Sequence, residues 1–209
     1  VLQRHTNYIY DKGGIYKIFN GNLLYHGCIP TKEDGSFDDV YIDGQYLSGM
    51  KYLKQVEDKV RKAFYCEVGS EEQLNALDYC WYLWSGPKSP LFGKNKMTTF
   101  ERYFIEDKAT HKEHYNPYYY HIEHKEYCKS ILKEFDLDVD KSHIVNGHVP
   151  VKTHKGESPI KGEGILLVID GGLSKAYHKN TGIGGYTLIS NSNVMIIAEH
   201  RPFAEVVES

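Results

Sequence analysis

Ile144-Val145-Asn146-Gly147-His148-Val149-Pro150 reads as a short strand that ends in a glycine. The glycine lets the backbone turn sharply and aims the imidazole of His148 out of a sheet edge, where open α/β sheets place their ligands. Leu24-Tyr25-His26-Gly27-Cys28-Ile29-Pro30 repeats the same order of strand, histidine, turn and proline. Two such ends suggest a shared ligand, and imidazole suits zinc, manganese or iron once carboxylate or amide partners complete the site.

Outward from these two points the chain alternates between strand and helix patterns. Ile15 to His26 reads as a hairpin, because Asn20-Gly21 supplies the positive φ angles of a tight turn, and Val40 to Leu47 reads as a second one around Asp43-Gly44. Leu53, Val56, Val60 and Phe64 recur at helical spacing through 49–66, which predicts a helix with one buried face. Ser70 caps a second helix, with Gln73 three residues on; it carries Leu74, Leu77, Trp81 and Leu83 and stops at Gly86-Pro87. Residues 85–121 look like a long connecting loop, followed by a helix over 121–135. Strands then follow at His143 to Asn146, Ile165 to Asp170, Tyr186 to Ser190 and Val194 to Glu199, the last two joined by a turn at Asn191-Ser192-Asn193. The reading is an α/β fold spanning 1–209 as one domain, with no internal repeat.

Composition narrows the function classes. The 209 residues carry 25 basic and 28 acidic side chains, a net charge of -3, and no run of cations that would attract nucleic acid or an anionic membrane. The longest wholly apolar run, Ile165 to Ile169, is far too short to span a bilayer, and the first residues show no export signal. Cys28, Cys66, Cys80 and Cys128 are scattered, with no Cys-x-x-Cys pair, which fits reduced thiols in a cytoplasmic protein and excludes a zinc finger. The 11 histidines are the compositional excess with chemical content.

Three other segments bear on chemistry. Asp170-Gly171-Gly172-Leu173-Ser174-Lys175 and the preceding Gly156 to Lys161 could offer amides and a cation to a phosphate, although they match neither a Walker loop nor a dinucleotide fingerprint, and a turn between sheet strands is the plainer reading. Lys108 to His121 mixes cations and aromatics, with His111 as its most testable member and an exposed loop as the plainer reading. Trp81, Trp84 and Phe92 fit core or interface aromatics better than a sugar platform.

Taken together, Leu24 to Pro30, Trp81-Tyr-Leu-Trp84-Ser-Gly, Ser89 to Lys94, Met97 to Phe104, Asn146 to Pro150 and Asp170 to Tyr177 resemble the class III fructose-1,6-bisphosphatase family, in order from about residue 8 to residue 200. The resemblance implies a metallophosphoesterase-type αββα sandwich and a dinuclear site at the strand ends, typically holding Mn²⁺, that acts on fructose 1,6-bisphosphate in gluconeogenesis. By position in the motifs, His26 resembles the ligand that follows the family's Asn-His element and His148 the first histidine of its C-terminal Gly-His element, both on one metal of the pair. Arg102, Lys161 and Lys175 are the candidates for the substrate phosphate.

The family's Asp-x-His, Gly-Asp-x-x-Asp-Arg-Gly and Gly-Asn-His-Glu/Asp elements are absent upstream of His26, and the chain does not begin with Met. The expectation is a C-terminal portion of a longer enzyme, catalytically silent alone, whose partner is the upstream part of the same protein. Uncovered sheet surface would also favour homo-oligomers. The alternative is a non-catalytic module that binds a phosphorylated metabolite or serves oligomerisation.

Overall fold

The computed structural model describes residues 1–152, 155–171, 185–191 and 194–200. The chain opens with α1 (Leu2–Lys12), then β1 (Tyr16–Phe19) and β2 (Asn22–Tyr25) form a hairpin, and β3 (Val40–Ile42) and β4 (Gln45–Leu47) form another. The long helices α2 (Gly49–Tyr65) and α3 (Glu71–Ser85) follow, then α4 (Thr99–Phe104), α5 (Tyr118–His121) and α6 (Lys125–Glu134). The C-terminal third supplies β5 (Ile144–Asn146), β6 (Ile160–Lys161), β7 (Leu166–Val168), β8 (Tyr186–Ser190) and β9 (Met195–Glu199).

One five-stranded sheet organises the molecule, in the order β1-β2-β5-β7-β6. Its three inner strands, β2, β5 and β7, are parallel, while β1 and β6 flank them antiparallel. The register Leu23↔Ile144↔Leu166 puts Leu23, Tyr25, Ile144, Asn146, Leu166 and Val168 on one face. That face belongs to a single buried cluster with Tyr52, Leu53 and Val56 of α2, Tyr118 of α5 and Ile131 and Leu132 of α6. The opposite face, carrying Leu24 and Val145, lines an open groove of about 720 Å³. The observed class is therefore mixed α/β, a mixed sheet with flanking helices.

The α3 cap forms as its sequence predicts: the Gln73 amide donates to Ser70 Oγ at 3.2 Å, and the helix ends before Gly86. Three expectations are corrected. The segment 85–121 is not loop throughout but holds α4, α5 and a 3-10 turn, so the following helix begins at Lys125 rather than 121. Residues 160–161 form an edge strand where a turn was read. Of the residues expected along α3 only Leu83 is buried; Leu74, Leu77, Trp81 and Trp84 face outward, the two indoles 70% and 59% exposed, and Ala76 is the helix's other buried residue. The small Ala76 side chain lets one helix approach another closely, which a bulky stripe would prevent. Helix α1, which has no counterpart in the sequence reading, buries no residue; it is held by Tyr10 stacked on Phe64 with ring centres 3.9 Å apart. Residues 192–193 of the expected β8–β9 turn lie outside the described residues.

Candidate functional site

The C-terminal ends of the three parallel strands converge: β2 runs into His26, β5 into Gly147 and His148, and β7 into Ile169 and Asp170. They are laced by backbone hydrogen bonds, the Gly147 amide donating to the His26 carbonyl at 2.9 Å, the Ile169 amide to the Asn146 carbonyl at 2.9 Å and the Val151 amide to the Asp170 carbonyl at 3.0 Å. The sheet register therefore fixes where both imidazoles begin.

Two local features set their direction. Gly27 passes so close to Pro90 that a Cβ there would stand 2.3 Å from its carbonyl oxygen, so only glycine fits directly after His26. His148 has φ of 67°, in the left-handed region, which costs a side-chain-bearing residue roughly 1–3 kcal/mol.

The result is a pair of imidazoles in contact. His26 Nε2 lies 3.1 Å from His148 Nδ1, and the rings stand 5.0 Å apart at 70°. His148 Nε2 lies 2.8 Å from the carbonyl oxygen of Phe92. A carbonyl only accepts, so His148 Nε2 carries the proton and Nδ1 presents its lone pair toward His26. Burial, and next the neighbouring His148, lower the pKa of His26, with Asp170 opposing, which favours the neutral imidazole that binds metals.

These positions fit a shared ion. Two nitrogens held about 2.1 Å from one metal at tetrahedral or octahedral angles stand roughly 3.0–3.4 Å apart, which brackets the observed separation. Among the described residues no set of three or more His, Cys, Asp or Glu is arranged to hold an ion.

The basic candidates stand elsewhere. Arg102, on α4, donates through Nε to Thr98 Oγ1 at 3.0 Å and through Nη2 to the His111 carbonyl at 3.2 Å, and it does not line the histidine groove. Lys161 pairs with Glu123 and lines a second cavity of about 290 Å³, which shares Asn146 and Gly147 with the histidine groove. Lys175 lies outside the described residues. His111 Nε2 lies 2.8 Å from the Ile105 carbonyl and closes a local turn. The four cysteines are unpaired, and burial pushes the Cys28 and Cys128 thiols up to about 12, which leaves them protonated and inert. Among the described residues no helix is long and apolar enough to cross a membrane. Sequence reasoning missed the Phe92 carbonyl, which no side-chain pattern can reveal, and Asn146, whose place two residues before His148 was the available signal.

The family described as Firmicute fructose-1,6-bisphosphatase matches this chain over residues 1–209. A class 3 fructose-1,6-bisphosphatase of Clostridium botulinum (strain Loch Maree / Type A3) is 53% identical over 205 residues, covering 98% of this chain and 31% of the relative. Its counterpart from Clostridium novyi (strain NT) is likewise 53% identical over 205 residues, with the same coverage. The chain thus spans about a third of the length of these curated relatives. No solved structure matches. On the full-length family match and an identity this high across nearly every residue, the chain belongs to the Firmicute fructose-1,6-bisphosphatase family.

Proposed function

We propose that this chain is the C-terminal part of a metal-dependent fructose-1,6-bisphosphate 1-phosphohydrolase, serving gluconeogenesis in the cytoplasm, and that it contributes His26 and His148 to one ion of a dinuclear, manganese-type site. The observation that carries the proposal is the 3.1 Å approach of His26 Nε2 to His148 Nδ1 from two separate strand ends, in a chain of this family. The rest of the site, and the second layer of a metallophosphoesterase-type sandwich, belong to the remaining two-thirds of the length seen in its relatives. The groove beside the histidines, about 720 Å³ and lined by Leu24, Leu91 and Ile169 as well as His26, His148 and Asp170, leaves room there for the rest of the site.

A divalent ion bound there supplies Lewis-acid stabilisation of charge on a phosphoryl group. This chain's residues hold and orient. His148 is oriented by the contact of its Nε2 with the Phe92 carbonyl, and burial lowers the pKa of His26, which favours the neutral imidazole. Of the three cations assigned to substrate phosphate, Arg102 and Lys161 already serve protein partners. Lys175 is preferred, because it follows by five residues Asp170, which lines the histidine groove.

With no third ligand among the described residues, the chain alone is catalytically silent. The test is Mn²⁺-dependent phosphate release from fructose 1,6-bisphosphate by this chain alone and after mixing with the separately expressed upstream part of the same enzyme. Silence alone and turnover on mixing, abolished by His148→Ala, is the expected result. Turnover by this chain alone, or a mixture indifferent to His148→Ala, overturns the assignment.

A further inference from the structure

Asn146 is 2% exposed, and its side chain sits between the two histidine-bearing strand ends. Its Nδ2 donates to the Gly27 carbonyl at 3.2 Å and to the Tyr118 hydroxyl at 2.7 Å. The orientation of the amide is not arbitrary, since the Gly27 carbonyl can only accept and so demands the NH₂ group. Tyr118, fully buried in the helical layer, shares a 2.6 Å hydrogen bond with the Tyr25 hydroxyl. One buried network thus grips the residue before His26, the residue after it, and the strand that delivers His148.

The cost of this arrangement points the same way. Asn146 Oδ1 is buried and has no hydrogen-bond partner, and an orphaned buried acceptor is a penalty that an apolar side chain of the same shape would avoid. Leu23, Ile144 and Leu166 fill equivalent places on the same face with hydrocarbon. Packing alone therefore does not call for an amide at 146, whereas alignment of two strand ends does.

We infer that Asn146, relayed through Tyr118 to Tyr25, is a positioning residue that holds His26 and His148 at ligand spacing before any metal arrives. The inference rests on the proposed metal reading for its purpose, but the geometry it governs exists in the metal-free chain. Supporting partners of this kind typically change metal affinity by about 10–100-fold.

The experiment uses the whole 209-residue chain labelled with ¹⁵N. Imidazole spectra report the tautomer of His148 and its contact with His26, and added MnCl₂ reports binding through paramagnetic broadening of the same signals, which is sensitive to weak occupancy. In the wild-type chain, the Nε2-protonated tautomer of His148 is expected, with joint broadening of both histidines. Asn146→Leu, close in shape, is expected to melt cooperatively, within about 10 °C of the wild type. It should mix the His148 tautomers and raise the Mn²⁺ concentration for half-broadening about tenfold or more. Tyr118→Phe keeps the Asn146 to Gly27 bond and should shift it about threefold, so the inference stays testable even where the leucine variant does not fold. Either variant, folded, with an unchanged His148 tautomer and unchanged Mn²⁺ response overturns the positioning role. A wild-type chain with a fixed tautomer but no Mn²⁺ broadening overturns the metal reading, while the loss of that tautomer in Asn146→Leu upholds the positioning one.

Discussion

Leu166 and Trp81 stand at opposite extremes of burial, although both belong to apolar patterns that read as core. Leu166 is fully enclosed on β7, an inner strand of the five-stranded sheet, with Ile144 as its register partner, whereas Trp81 lies on the outward face of α3 with Leu74, Leu77 and Trp84. In β5 and β7 the choice does not arise: inner parallel strands are covered on both faces, and every residue of the two is buried. In α3 the apolar residues fall on more than one side of the cylinder, and periodicity cannot say which side meets a neighbour. The neighbour decides, and α2 takes the side of Ala76 and Leu83.

The contrast is broken or upheld most directly by truncating both regions. Leu166→Ala is expected to cost about 3–5 kcal/mol, since it empties a site with no room to collapse, while Leu77→Ala should cost less than about 1 kcal/mol. Urea denaturation of the two variants measures both; similar losses would mean that the outward face of α3 is covered by something else.

The next effect is smaller and concerns the site itself. The left-handed backbone at His148 is a conformation that glycine adopts without strain and alanine does not. His148→Ala should therefore be less stable than His148→Gly by about 1 kcal/mol, although both lose the same imidazole. A thermal melt in which the two variants coincide would show that the turn relaxes once the imidazole is gone, and that the strain belongs to the side chain's contacts with Phe92 and His26.

These comparisons mark what the sequence made legible. The pairing of His26 with His148 was readable because each histidine ends a strand beside a glycine and a proline, and strand ends are where a parallel sheet gathers its functional groups. The cap at Ser70 and the hairpin at Asn20-Gly21 were readable because single residues with special backbone preferences dictate them. Helices α4 and α5 were not, since both are about a turn or two long and sit among prolines and charges that also suit a loop. Nor was the engagement of Arg102 with Thr98 and His111, because a cation's partner across a folded connection is a tertiary fact. Nor was the role of Asn146, which depends on Gly27 and Tyr118, both distant in sequence.

The smallest expected effect is the most informative about α3. An indole 70% exposed gains little from the fold that holds it, so Trp81→Ser should change the stability of the chain by no more than about 0.5 kcal/mol in dilute solution. Measured across a range of protein concentrations, that difference should stay flat if the face is bare. A loss that grows with concentration would instead mean that copies of the chain cover the face in one another, because only a bound partner couples stability to concentration. Trp84, its ring centre 5.0 Å from that of Trp81, would then share the effect, while Leu166→Ala would keep its cost at every concentration.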